Sequence, residues 1–277
     1  MGILADQHVH SHHSGDSRER MEAVAGQAIE RGLTSLCFTE HEDYDYPAVD
    51  DPRITAQTFL LDLEAYRQEY LRIRDQFSDR ITLHFGVELG LQPLASVISE
   101  NCRFVQNAPF DLVIASTHVA GRRDPYYPSF YEGRTEEEAL REIFAETLEN
   151  IRLFEDFDVV GHLDYPIRYL PSGRQRIDLS ASRELLDEIF RLLIRREQGL
   201  DLNTEQIRRG YDEMNPSREL LARYHELGGR IITFGSDAHQ AERVAGFFDR
   251  AERIAREAGF TEYCVYENRK PAFIAFS

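Results

Sequence analysis

The chain has almost no lysine. Lys270 is the single one, and every other basic residue is an arginine. A carbamylated lysine bridging two metals on a central strand is therefore excluded. Cysteine is scarce as well. Cys37, Cys102 and Cys264 are odd in number, far apart and without CxxC spacing. That argues against a disulfide framework and leads to the expectation of a cytoplasmic protein. No long apolar run is present, which excludes a membrane-spanning helix. No basic stretch followed by an apolar one opens the chain, so no secretion leader is expected. Nor is there a basic patch to offset the formal net charge of −17, and such a surface repels nucleic acid. Low-complexity segments, repeats and linkers are all missing. A single domain over residues 1–277 is expected, a length that suits one α/β barrel.

What is present is a regular alternation. Hydrophobic residues make up 42% of the chain, enough for a sizeable core. Short apolar runs predict strands at 3–10, 35–40, 81–89, 111–117, 158–163, 200–203 and 231–236. Amphipathic stretches predict helices at 19–31, 55–77, 93–106, 135–155, 180–198, 217–227 and 242–258. Strand–helix alternation implies a parallel sheet. Seven such units favour a closed barrel over an open sheet. Glycines in "ERGLTSL", "EQGLDL" and "ELGGRI" fit helix C-caps that turn into the next strand. "EYCVYENR" predicts one further short strand near the end.

Parallel barrels carry their chemistry at the C-terminal ends of the strands. The first predicted strand ends in "HVH", with His8 and His10. Residues i and i+2 of a strand point the same way, so both imidazoles can face one metal. The next ends supply His41 of "TEH", Glu88 of "GVEL", His118 of "STH" and His162 of "GH". The sixth supplies Asn203 and Thr204, and the seventh Asp237 and His239 of "GSDAH". Chance would scatter histidines over helices and loops. Convergence on one rim predicts a metal centre, and imidazole with carboxylate suits Zn²⁺, Mn²⁺ or Fe. His84 and His225 lie away from the rim and read as structural or surface residues.

With these residues in hand, the chain resembles the PHP (polymerase and histidinol phosphatase) family, and within it the monofunctional histidinol-phosphate phosphatases. The resemblance runs from "DQHVHSHHS" through "TEH", "GVE", "STH" and "GHLDY" to "GSDAH". It implies a distorted (β/α)7 TIM-like barrel and three divalent ions, Zn, Mn or Fe and possibly mixed. By the resemblance, His8, His10, Glu88 and Asp237 would hold the first ion. Glu88, His118 and His162 would hold the second. His41 and His239 would hold the third with Asp16, although "SGDS" is also ordinary turn chemistry. His12 and His13 have the weakest claim of the opening run. The TatD-like nucleases share HxH but lack the second-strand "TEH" and the histidine of "GSDAH".

The resemblance also implies hydrolysis of a small-molecule phosphate ester, histidinol phosphate, in histidine biosynthesis. Direct attack on phosphorus by a metal-bridging hydroxide is expected, with Glu88 and Asp237 in the catalytic centre. Arginine's planar fork suits phosphate. Arg168 after "GHLDYPI" and Arg208 after "LNTEQI" stand where it is needed. The family pattern "NTxxxR" followed by "PS" is met by Asn203–Thr204, Arg208 and Pro216–Ser217, but Glu205 and Gln206 replace small residues. Glu42, Asp43 and Tyr44 of "EHEDYDY" are candidates to meet a cationic substrate group. The rivals are a PHP phosphoesterase acting on nucleotides or cyclic phosphates, and a non-catalytic metal-binding barrel.

Overall fold

Seven parallel strands pair strictly in chain order in the computed structural model, which describes residues 2–277. They are β1 (Ala5–Val9), β2 (Ser35–Asp43), β3 (Thr82–Gly90), β4 (Leu112–Ser116), β5 (Val159–Val160), β6 (Gly199–Asn203) and β7 (Ile232–Gly235). The sheet returns on itself just past β7. There the Asp237 N–H donates to the His8 carbonyl at 2.8 Å, and the His10 N–H donates to that of Ala238 at 2.9 Å. Helices lie between the strands: α1 (Met21–Glu30), α2 (Leu63–Phe77), α3 (Ala95–Gln106), α4 (Glu136–Leu153), α5 (Arg183–Arg195), α6 (Glu205–Arg208), α7 (Arg218–Glu226) and α8 (Phe248–Glu257). The fold is the distorted (β/α)7 barrel that the alternation and the resemblance led one to expect.

Strand burial explains the apolar runs. Nearly every residue of the seven strands is buried, because helices cover one face and the barrel lumen the other. The main core joins strands to helices through residues such as Phe38, Phe144, Phe190 and Phe234. A second, smaller cluster fills the lumen with Cys37, Leu112, Ile114, Val159 and Ile231. Its floor comes from Cys264 and Tyr266. These belong to β8 (Glu262–Glu267), which pairs antiparallel with β9 (Lys270–Ala275). The single late strand expected from "EYCVYENR" is thus one arm of a hairpin. Asn268 and Arg269 both take positive φ, 51° and 63°, as a tight two-residue hairpin turn requires.

Several boundaries differ from expectation, among them the start of α8, at Phe248 rather than 242, and the end of β2, at Asp43 rather than 40. The second helix begins at Leu63, eight residues past the predicted start. Asp62 caps it by accepting from the Ala65 N–H at 3.0 Å. The Thr55–Phe59 stretch instead forms turns beside the end of β2, where the Asp43 N–H donates to the Phe59 carbonyl at 2.9 Å. The fifth strand shrinks to two residues, so His162 stands on the segment after it. Among the described residues no helix is long and apolar enough to cross a membrane.

Candidate metal centre

Strand alternation builds the centre. Cys37 faces the lumen, so Thr39 and His41 follow on the same side of β2. Likewise Leu112 and Ile114 lead to Ser116 on β4. The lumen is therefore apolar below and polar at the rim. Close approach at the rim requires glycine at two places. A Cβ on Gly235 would stand 2.3 Å from the His8 Cβ, and one on Gly161 would stand 2.2 Å from Ser116 Oγ. Asp237 takes φ 54°, a left-handed conformation uncommon outside glycine, immediately beyond β7.

Glu88, wholly buried, is the hub. Its Oε2 lies 3.1 Å from His8 Nε2, 3.1 Å from His41 Nδ1 and 3.5 Å from His10 Nε2. Its Oε1 lies 2.9 Å from His162 Nε2 and 3.2 Å from His118 Nε2, and accepts from Ser116 Oγ at 2.6 Å. Asp237 Oδ1 stands 3.4 Å from His10 Nε2 and 3.9 Å from His8 Nε2. Asp16 Oδ2 stands 3.1 Å from His239 Nε2 and 3.7 Å from His41 Nε2. The nine side chains expected at the centre are thus brought together. Metal-compatible spacing occurs in the sets His8–His10–Glu88, Glu88–His118–His162 and His10–His41–His239.

The charge pattern fits cations. Burial works against ionisation of Glu88, yet His8, His118 and His41 hold its carboxyl well below the ordinary value. Asp237 and Asp16 are depressed against burial in the same way, Asp237 by His10 and His8, Asp16 by His239 and His41. Burial lowers His10 and His162, favouring the neutral imidazole that a metal needs. Burial also opposes protonation of His118 and His239, but Asp43 and Asp16 outweigh it and raise them to about 10 and about 9. The hydrogen bonds are incomplete. His41 Nδ1 and His239 Nε2 are buried and, although 3.1 Å from Glu88 Oε2 and Asp16 Oδ2 respectively, are not aligned to hydrogen-bond with them. Ring nitrogens aimed at shared space, among five imidazoles around one carboxylate, are what bound divalent ions would satisfy.

Carboxylates hold the far sides of two rings. Asp201 Oδ2 on β6 lies 2.9 Å from His8 Nδ1, and its Oδ1 accepts from Thr233 Oγ1 at 2.7 Å. Asp43 Oδ1 lies 2.8 Å from His118 Nδ1. Such partners set the tautomer and orientation of a ligating histidine. Asp201 went unnoticed in sequence because nothing marks "LDLN" as adjacent to a histidine 193 residues earlier.

A cavity of about 690 Å³ opens over the cluster. Arg18, Arg168, Arg208, Arg209 and Arg243 all line it. Arg168 is buried and held on three sides. It donates to Asn215 Oδ1 at 2.6 Å, Asn203 Oδ1 at 2.7 Å and Asp237 Oδ2 at 3.3 Å. Arg208 is paired with Glu205, which also accepts from Arg209 Nε at 3.1 Å. Beside this cavity lies a chamber of about 340 Å³, sharing His41 and His118 and walled by Asp43, Asp124, Tyr46, Tyr127 and Phe59. Asp124, on the loop before α4, was not singled out in sequence. It accepts from Tyr46 Oη at 2.5 Å and from the Tyr126 N–H at 2.7 Å.

Glu42 does not reach the pocket mouth. Strand β2 continues to Asp43, so alternation turns Glu42 away from the rim while Asp43 faces it. The Glu42 carboxylate is buried, accepts the Leu61 N–H at 2.5 Å, and is pushed by burial up to about 7. It lines neither cavity. Asp43 does line the chamber, but behind His118. His12 and His13 lie outside both spaces.

Comparison with known proteins places these features in a wider set. The profile of the PHP domain matches residues 6–205. The histidinol-phosphatase of Lactococcus lactis subsp. lactis (strain IL1403) is 36% identical over 269 residues, covering 96% of this chain and 95% of its own. The "Probable histidinol-phosphatase" of Clostridium acetobutylicum is 28% identical over 271 residues, covering 98% and 96%. The crystal structure of the Lactococcus histidinol phosphate phosphatase, complexed with zinc, L-histidinol and phosphate, superposes with a TM-score of 0.87 at 36% identity over 97% of this chain and 98% of that one.

Proposed function

The chain belongs to the PHP domain family, and from that premise we propose that it is a histidinol-phosphatase, releasing phosphate from L-histidinol phosphate. One observation carries the reading. A cluster of buried imidazoles and carboxylates opens into a cavity walled by five arginines, in a chain of net charge −17. Forked arginine donors, set among Glu19, Glu205 and Glu242 over a floor suited to cations, make a site for a phosphate group. The adjoining chamber, acidic and aromatic, suits the cationic amine and the imidazole of histidinol. The Lactococcus protein is complexed with zinc, L-histidinol and phosphate, which supports this reading of the two spaces.

His8, His10, Glu88 and Asp237 would hold one ion. Glu88, His118 and His162 would hold a second, and Asp16, His41 and His239 a third. Zinc, manganese and iron all suit this donor set. When bound, such ions lower the pKa of water and neutralise phosphoryl charge. The protein's own groups do the rest. Asn203 and Asn215 fix the Arg168 guanidinium so that its remaining N–H groups can meet a phosphoryl oxygen. Arg208 and Arg209 stand further out, their charge shared with Glu205, and draw the anion inward. Asp237, ionised and 3.3 Å from Arg168 Nη1, is placed to accept a proton at the reacting end. Tyr165, whose Oη donates to the His118 carbonyl at 2.7 Å, closes the floor between the two spaces.

Turnover on a panel of phosphomonoesters tests the assignment. The metal-loaded protein should favour L-histidinol phosphate over nucleoside monophosphates and cyclic phosphates by at least about tenfold in kcat/KM, a difference of roughly 1.4 kcal/mol. A smaller preference would assign it to a broader phosphoesterase of the same family.

A further inference from the structure

The most conspicuous residues of the opening run, His12 and His13, take no part in the centre above. They converge elsewhere. His13 Nε2 lies 3.0 Å from Glu69 Oε2, and His12 Nε2 lies 3.3 Å from the same oxygen. Glu69 sits on α2, so a loop and a helix meet at this point. The two imidazole rings are 4.4 Å apart, tilted by 32°. Their ligand atoms and that of Glu69 all lie within 4.8 Å of one another.

We propose that His12, His13 and Glu69 form an outer site for a divalent transition-metal ion of the zinc class, separate from the rim centre. Four ligands at about 2.0–2.1 Å in a tetrahedron stand roughly 3.3 Å from one another. The two contacts to Glu69 already approach that edge length. The rest of the site is prepared in advance. Glu69 Oε1 accepts from Arg72 Nη2 at 3.1 Å, which orients the carboxylate and leaves Oε2 to the histidines. His13 packs against the Tyr66 ring at 5.5 Å and is largely buried, while His12 is 41% exposed. The solvent side therefore leaves a fourth position for water. The backbone is pinned too: the His12 N–H donates to the Glu19 carbonyl at 2.7 Å, and Ser11 and Ser14 both donate to Glu40 at 2.6 Å.

The consequence lies in what this loop carries. Asp16, the candidate ligand contributed by the loop after β1, is three residues beyond His13. An ion at the outer site would clamp the loop to α2 and so brace Asp16 beside His41 and His239.

Equilibrium dialysis of the holoenzyme against micromolar free Zn²⁺, followed by elemental analysis, tests the site. Wild type should retain one more equivalent than Glu69→Gln and His12→Gln, with the outer affinity weakened at least about tenfold in either variant. Added Zn²⁺ should raise Tm in wild type only. His12 is exposed, so His12→Gln leaves folding intact if Glu69→Gln does not. Equal zinc content in wild type and His12→Gln, with equal Tm responses, would overturn the proposal. The result stands apart from which ester the rim centre hydrolyses, since zinc content and Tm are read without any substrate.

Discussion

Asp201 shows how much of the centre depends on residues that hold no ion themselves. It locks His8 through Nδ1 and is itself held by Thr233. Asp201→Asn keeps the size but loses the charge. It should weaken metal binding by about 10–100-fold, as removal of such outer partners does, with the fold retained. A chelator competition on wild type and variant measures this; unchanged affinity would mean the ion pair is only structural. Charge at the chamber separates two other acids. Asp124→Asn should raise KM for L-histidinol phosphate while leaving KM for an uncharged-tail ester such as phenyl phosphate unchanged. Glu42→Gln should alter neither, because its carboxylate faces Leu61. A KM rise in Glu42→Gln instead would restore the simpler idea read from "EHEDYDY". At this scale the sequence displays residue types and their spacing along a strand. It does not display partners that meet across the barrel, which is why the rim histidines were legible and Asp201 and Asp124 were not.

At the scale of elements, the alternation of apolar runs and amphipathic stretches was enough to find all seven strands and every long helix, missing only the one-turn α6. Periodicity failed where tertiary contacts replace it. Thr55–Leu60 looks like the start of a helix but is spent on turns against the end of β2, and the cap at Asp62 sets the true beginning. The β8–β9 hairpin was half visible, since β9 is mostly exposed and lacks a buried face to leave a pattern. Its turn is anchored under the barrel. The Asn268 N–H donates to Asp111 Oδ1 at 2.9 Å, and Arg269 Nε donates to Asp158 Oδ2 at 2.5 Å. Both acids precede strands, so the hairpin seals the end opposite the rim. Arg269→Ala should therefore cost about 1.5–3 kcal/mol of stability, the range for a hydrogen bond to a charged group. Denaturant unfolding reads the loss, and kcat should stay unchanged because the rim lies at the other end. A fall in kcat with no loss of stability would contradict this division of the barrel into floor and site.

The whole molecule joins two opposed electrostatic facts. The chain is strongly acidic, yet the cavity over the rim carries five arginines to receive an anion over a floor of ionised carboxylates. Without cations that floor repels phosphate; with them the sign of the local field reverses. Near-absence of lysine fits the same plan, for arginine supplies forked donors without a group that titrates. Dependence on metal is thus the central consequence, and titration of the chelated protein with Zn²⁺ tests it most directly. Phosphate release from L-histidinol phosphate is followed as each equivalent is added. Activity should be absent without metal and should rise to a plateau near three equivalents per chain, whatever further zinc the outer site takes up. Full activity in the metal-free protein, or a plateau reached at a single equivalent, would contradict a multinuclear centre built around Glu88.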